Sequence, residues 1–459
     1  MIEKNMTTRI YPIKIIPQYI TFSGDYRATQ SALMLASLAK GKTILRNAGT
    51  GVDTGRTIAF LQKLGVSLTR NESDIIVEGG DGINIPDDGA LEYKGGVFTL
   101  SLILGMLAGM KRSCSLQYSE LVNQDIVDSI TGILNANGID IFHEADSRMI
   151  IFRTGTEFPI EIKIMSSLSY LKNCLLMFGL VSGRSILIRE IKVTDDTFQN
   201  YFDRFNCRIE IQRPKPVIKQ DPVDPRKKIR TTGVDYKQEI KLAASSTLRK
   251  AEIELPPDSD MISALMTLAV LNKKSIKLEN IPLDRVRTKF NNYLKGCGIE
   301  PTISERRTIG ELPFGTVSLK GAELKVRKTA GEQASALIED IPFMAVMASL
   351  GPGTSIIRGV REFSEWGIDP FNEIAENLEK VNAKCGILED GLVIEGTNEL
   401  AGADFGPFIN PKVALAFFVM AMSGQGWSSF DNFDLISDHY PDFIELVQEN
   451  AKSKVISRD

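Results

Sequence analysis

The sequence predicts an α/β protein of two similarly built domains, each with threefold internal repetition. Three observations predict it. A unit made of an apolar helix, a Gly- or Lys-containing turn and a short strand recurs along the chain, at a spacing of roughly 70 to 90 residues. The helix of each copy is apolar nearly all round, rich in Ala, Leu and Met, so it lies inside its domain. An amphipathic helix and a further strand follow most copies. At 459 residues the chain is also too long for a single core.

The copies come in order. In the first half the buried helix and its strand read ATQSALMLASLAKGKTILRN, FTLSLILGMLAGMKRSCSLQY and YLKNCLLMFGLVSGRSILIREI. In the second half they read MISALMTLAVLNKKSIKLENI, IPFMAVMASLGPGTSIIRGV and VALAFFVMAMSGQGWSSFDNF. The surface helices read TGRTIAFLQKLGVSL, DIVDSITGILNANGIDI, TFQNYFDRFNCRIEI, DRVRTKFNNYLKGCGIE and PFNEIAENLEKVNAKCGIL. Ile58, Leu61 and Leu64 mark the buried face of the first, and Gly65, Gly138 and Gly298 stand where a helix end wants a left-handed residue. Each unit thus reads strand, buried helix, strand, surface helix, strand.

The expected boundaries are 22–252 for the first domain and 1–21 plus 253–459 for the second. The N-terminal strand RIYPIKII then pairs in the second domain, and the chain crosses near Phe22 and near Ile253. A Pro- and Lys-rich stretch over 213–236 lacks apolar periodicity and reads as a surface excursion, with Arg226–Arg230 a solvated basic cluster.

Composition narrows the function classes. Lys plus Arg number 54 against 58 Asp plus Glu, which argues against a nucleic-acid or membrane-surface protein. Cys114, Cys174, Cys207, Cys297 and Cys385 are scattered singly, with only His143 and His439 to assist. That pattern fits reduced, mostly buried thiols and disfavours a metal site. The N-terminus lacks an apolar signal region, and the apolar run Thr99–Met110 is too short to span a bilayer. The expectation is a cytoplasmic globular monomer.

Several segments carry a resemblance: the Gly24-Asp25 loop, KGKTILRNAGTGVDTGRTIAFLQKLGV, LIEDIPFMAVMASLGPGTSIIRGVREF, LEDGLVIEG and YPDFIELV. With the six-unit layout, the chain is similar over nearly its full length to the enolpyruvyl transferase family, most of all its EPSP synthase branch. The resemblance implies two inverse α/β barrel-like domains, each of three βαβαββ-type repeat units, joined by two crossovers. It implies transfer of the 1-carboxyvinyl group of phosphoenolpyruvate (PEP) to 3-phosphoshikimate, a step of the shikimate pathway that makes aromatic amino acids. No cofactor or metal is implied. A small-molecule ligand is expected between the domains.

Residue by residue, the chain departs from the family pattern. In the first loop the family's lysine stands at Tyr26 and its arginine at Ser31, with Asp25 kept and Arg27 new. The PEP-phosphate turn is Lys94-Gly95-Gly96, running to Ser101 without its arginine, and Val122 lies where the next arginine belongs. The Ser-x-Gln of the third unit is Ser169-Tyr170, with Lys172 nearby. The acid/base aspartate falls at Glu339, with Asp340 beside it, so these two are the candidate catalytic residues. Trp366 and Asp369 mark a motif that keeps only its aspartate, and Lys412 carries the one retained charge of the last motif.

Each survivor also has a plain structural reading. Glu339 and Asp340 head a buried helix, where carboxylates suit the dipole. Asp369 before Pro370 is a common helix start. Lys172 beside an apolar run is expected to snorkel outward. Gly24 and Asp25 suit a tight turn and a cap. Tyr26, Tyr170 and Trp366 either stack on a ring-bearing ligand or pack the fold. The sibling branch that uses UDP-N-acetylglucosamine has a Lys-Asn pair and commonly a loop cysteine, whereas this chain has Tyr26-Arg27 and puts Cys114 in a strand. Two functions stay open: a transferase of weak, altered or lost activity, and a non-catalytic two-domain binding or interaction protein.

Overall fold

The computed structural model describes residues 8–17, 20–80, 82–153, 161–166, 168–215, 217–220, 228–231, 234–283, 285–309, 312–360, 370–397, 399–450 and 455–458. The chain divides into two compact units, one of residues 27–46 and 53–254 and the other of 1–26, 47–52 and 255–459. These are called the first and second units below. The chain changes unit after Tyr26 and after Glu254, and Asn47–Val52 also belongs to the second unit, a short segment the repeat pattern does not single out.

Three four-stranded sheets of one plan build the first unit. In the middle sheet Ala90–Tyr93 runs parallel to Cys114–Tyr118, which pairs antiparallel with Met149–Phe152, which in turn carries Ile141–Glu144 on its far side. The same plan orders Glu161–Ser166, Ser185–Glu190, Gln238–Leu242 and Ile209–Gln212. It also orders Glu252–Glu254, Gly41–Arg46, Asp74–Gly79 and Ser67–Asn71. Inside lie the helices Tyr26–Leu38, Val97–Gly109 and Ser169–Ser182, buried over most of their lengths. Surface helices Val52–Lys63 and Gln124–Ala136 bury one stripe each, and Asn123 caps the second by accepting from Asp125 N at 2.9 Å.

Two expectations for this unit change. The third surface helix shrinks to Thr197–Asn200 followed by a 3-10 turn over Asp203–Phe205, because Asn206 turns left-handed with φ 54°. The stretch 213–236 is not irregular throughout: Val217–Gln220 and Lys228–Thr231 pair antiparallel, with Val217 opposite Thr231. The basic run Arg226–Arg230 lies partly outside the described residues.

In the second unit two sheets repeat the plan and a third has three strands among the described residues. The N-terminal strand Thr8–Ile10 lies between Ser428–Phe430 and Ile456–Arg458, antiparallel to both. Its core helices are Ser259–Leu271, Ile341–Ala348 and Pro411–Ala421. Aromatic edges fill the space beside the last, with Phe418 5.6 Å from Phe433 and Phe405 5.4 Å from Phe417. Burying each such side chain contributes about 1.5–3 kcal/mol, so these helices anchor their unit.

Gly65, Gly138 and Gly298 take φ of 89°, 81° and 86°, as their positions at helix ends require. Cys114, Cys174, Cys207 and Cys297 are buried thiols and Cys385 is half-buried, without disulfides. Burial pushes the Cys114 thiol up to about 12 and so keeps it protonated. No described helix is long and apolar enough to cross a membrane.

Candidate functional site

In the second unit the sequence candidates gather at the heads of core helices. Gly24 cannot carry a side chain, since a Cβ there would stand 1.9 Å from the Asn47 carbonyl oxygen. Asp25 Oδ2 accepts from Ser259 Oγ at 2.6 Å and Ser259 N at 3.2 Å, while Asp258 Oδ1 accepts from Met261 N at 2.8 Å. Both carboxylates therefore cap the Ser259–Leu271 helix, whose first N–H groups have no partner within the helix. Gly24 and Asp25 have a structural reason to be there.

Lys412 sits in the first turn of the Pro411–Ala421 helix, held there by Asn410, whose Oδ1 accepts from Lys412 N at 2.9 Å. Its Nζ lies 2.5 Å from Glu339 Oε2 and 2.8 Å from Asp260 Oδ1. Tyr440 donates its hydroxyl to Asp260 Oδ2 at 2.9 Å. Asp340 Oδ1 accepts from Ser263 Oγ at 2.5 Å, and Arg287 reaches Ser263 Oγ at 3.0 Å and the Ser259 carbonyl at 2.9 Å. Asp340 is thus tied to the neighbouring helix and makes no side-chain cap to its own.

The electrostatics are those of an acidic cluster. Asp25, Asp258, Asp260, Glu339 and Asp340 face Lys412 and Arg287 across these contacts. Burial, then the charges of Asp260 and Asp25, hold the Asp258 carboxyl well above its ordinary range. Burial also raises Asp340, against the pull of Arg287 and the Ser263 hydroxyl. Glu373 braces the site from behind: its Oε1 accepts from Ile409 N at 2.6 Å and Asn410 N at 3.2 Å, just before Lys412. Burial raises its carboxyl to about 7. Among the described residues no group of His, Cys, Asp and Glu is placed to hold a metal ion.

The first unit holds the remaining candidates. Arg27 Nη1 pairs with Asp195 Oδ2 at 3.1 Å, and its guanidinium lies 5.5 Å from the centre of the Phe98 ring. Burial works to raise the Asp195 carboxyl, but Arg27, the Thr197 hydroxyl and Lys172 outweigh it and hold it below its ordinary range. Lys172 does not snorkel. It is 1% exposed, with Nζ 3.0 Å from Glu190 Oε1. Glu190 also accepts from Thr194 Oγ1 at 2.5 Å and Gln238 Nε2 at 2.9 Å, which satisfies both its oxygens. The apolar run around Lys172 hid this pair, because its partner lies on a strand 18 residues further on.

Ser169 and Tyr170 open the Ser169–Ser182 helix, with Tyr170 buried. Tyr26, the last residue of the second unit before the chain enters the first, opens the Tyr26–Leu38 helix and is half-buried. Ser31, Ser101 and Val122, where the resemblance puts arginines, are all buried, and Ser101 Oγ donates to the Phe98 carbonyl at 2.7 Å. At the Lys94–Gly96 turn the Gly96 N–H donates to Asp53 Oδ2 at 3.3 Å, and Asp53 pairs with Arg56 at 2.8 Å. Trp366 and Asp369 lie outside the described residues. Sequence reasoning missed Asp53, Asp195, Glu190, Asp258, Asp260, Arg287, Glu373 and Tyr440. Asp258-Ser-Asp260 alone carried a local signal, as a helix-start pattern.

Comparison with known proteins agrees with this architecture. The family model described as EPSP synthase (3-phosphoshikimate 1-carboxyvinyltransferase) matches residues 10–447. A 3-phosphoshikimate 1-carboxyvinyltransferase of Oceanobacillus iheyensis is 24% identical over 94% of this chain and 96% of its own length. One from a Synechococcus strain is 24% identical over 95% of each chain. Among solved structures, EPSP synthase from Acinetobacter baumannii superposes with a TM-score of 0.77 at 19% identity, covering 99% of this chain and all of its own. The enolpyruvyl transferase NikO from Streptomyces tendae gives 0.70 at 13% identity, covering 99% and 98%. The fold is therefore the two-domain inverse α/β fold of those proteins, and with the family model spanning nearly the whole sequence the chain belongs to the EPSP synthase family.

Proposed function

We propose that this family member has lost, or nearly lost, the transfer of the 1-carboxyvinyl group from PEP to 3-phosphoshikimate, and works as a two-domain binder of a different small molecule. The observation that carries this reading is the position of Lys412. The one cation kept from the family's last motif is held between Glu339 and Asp260, and Glu339 is the carboxylate expected to act as acid/base. A general base whose oxygen is bound to an ammonium is a weak acceptor of a substrate proton.

Loss of charge elsewhere supports the same reading. Guanidinium groups match phosphate and carboxylate bidentately, and Ser31, Ser101 and Val122 offer nothing comparable from inside the core. A hydrogen bond to a charged group contributes about 1.5–3 kcal/mol. Losing half a dozen such contacts forfeits on the order of 10 kcal/mol, even with non-additivity. Each 1.4 kcal/mol is about tenfold, so several orders of magnitude in donor and acceptor binding go with them.

The test is phosphate release from purified protein given PEP and shikimate 3-phosphate. The expected result is none above the blank. Release at a rate typical of enzymes, abolished by Glu339→Ala, overturns the proposal.

A further inference from the structure

One sheet of the second unit runs in the order Lys328–Thr329, Thr354–Arg358, Gly391–Glu395, Lys384–Leu388, and among the described residues the last of these is its free edge. Glu389 and Asp390 join the last two strands by a two-residue hairpin, with Leu388 opposite Gly391. Antiparallel pairs alternate, so Leu388, Gly386 and Lys384 exchange backbone bonds with the neighbouring strand, while Cys385 and Ile387 turn their N–H and C=O groups outward. On the other side of Gly391–Glu395, the Gly396 N–H donates to the Gly353 carbonyl at 3.0 Å, which fits this phase. None of the four outward groups has a partner among the described residues, and Ile387 is 44% exposed.

A groove of about 700 Å³ lies against this edge. It is lined by residues 383–386, by Glu379 at the end of the Pro370–Glu379 helix, and by Val393 and Glu395 on the next strand. Gly386 forms a hollow in it. A Cβ there would meet nothing nearer than the Val393 carbonyl oxygen at 3.9 Å, and its φ is not positive, so neither crowding nor backbone conformation asks for glycine. A glycine inside a strand weakens it and marks a place where another backbone can approach closely. The corresponding edge strands of the first unit, Ser67–Asn71, Ile141–Glu144 and Ile209–Gln212, hold none.

The charge of the groove selects the occupant. Lys384 pairs with Glu395 at 3.3 Å, and among the described residues no cation pairs with Glu379. Cys385 and Gly386 face opposite sides of the strand, with Glu379 on the Cys385 side. Burial and then the Glu379 charge push the Cys385 thiol up to about 12, so it packs rather than reacts. We propose that this edge is a docking site for an extended, basic segment of a partner protein, which adds a strand outside Lys384–Leu388. The backbone of that segment takes the four outward groups. A large apolar side chain covers Gly386 against Val393, and lysines or arginines, alternating to the other side, meet Glu379. The phosphates of a nucleic acid or an anionic membrane would meet Glu379 and Glu395 and be repelled. The surface shares no residue with the Lys412 cluster, so it stands apart from the reading of the activity.

The experiment uses the full chain with peptide probes, by calorimetry and amide hydrogen exchange. The probes are acetyl-Lys-Phe-Lys-Phe-Lys-amide, its counterpart with glutamate for lysine, and a scrambled basic peptide with the lysines together. The alternating basic peptide should bind at least tenfold tighter than either control and slow exchange of the Cys385 and Ile387 amides at least tenfold. Gly386→Val fills the hollow and should weaken that binding at least tenfold while melting no lower than the wild type, since the new side chain enters open space. Glu379→Gln should weaken it several-fold and serves if the valine variant misfolds. No binding of the basic peptide, equal binding of a control, binding unchanged in either variant, or protection confined to other amides would each overturn the site. So would a dimer of the free protein that Gly386→Val dissociates, because a second copy would then hold the edge.

Discussion

Lys172 in the first unit and Lys412 in the second are both lysines at the head of a core helix, and each is held differently. Lys172 meets one carboxylate, Glu190, and that pair is 1% and 2% exposed at the side chains. Lys412 meets two, Glu339 and Asp260, at 15–21% exposure, with further buried acids behind them. The first arrangement closes its charge locally and becomes part of the core. The second leaves acid in excess. The difference teaches that a lysine at an expected ligand position says little until its carboxylates are counted, since both cations here are bound by their own chain.

The largest effect should come from the sealed pair. Lys172→Met strands Glu190 in the core and should cost about 3–5 kcal/mol in urea unfolding, with most of it recovered in the double variant Lys172→Met, Glu190→Gln. A loss under 1 kcal/mol would mean water reaches Glu190, and the contrast with Lys412 would dissolve. Glu373 comes next. Its carboxyl is raised to about 7 from an ordinary 4.5, so its contribution is fully present below the lower value and is lost as pH rises toward the upper. That predicts up to about 3 kcal/mol less stability at pH 8 than at pH 4.5 from this group, and a flatter profile in Glu373→Gln.

Lys412→Met should cost less, about 1–2 kcal/mol, because water already screens its partners. Asp260→Asn in that background should restore part of it, which a purely steric role for Lys412 would not. Smallest of all, Arg358→Ala removes the exposed pair with Asp390 and should leave Tm unchanged within error.

Much of the fold is legible in the sequence, because a buried helix that is apolar on every side leaves little choice of where it goes. MISALMTLAVL and VALAFFVMA announce core helices without help from any partner. The charge pairs do not announce themselves. Glu190 answers Lys172 and Asp195 answers Arg27 across 18 and 168 positions of chain, and nothing local to either residue encodes the match. Glu339 and Lys412 were legible as candidates through the resemblance, yet their contact with each other was not. The resemblance puts arginines at Ser31 and Ser101, whereas the burial of those two serines required the packed helices.

The central claim is that the remaining cations of the site are committed to carboxylates of the same chain and do not hold phosphorylated ligands. Titration calorimetry of the intact protein with PEP, alone and with shikimate 3-phosphate present, tests it most directly. The account predicts no binding tighter than millimolar in either case. A micromolar Kd for PEP that disappears in Lys412→Met would contradict it.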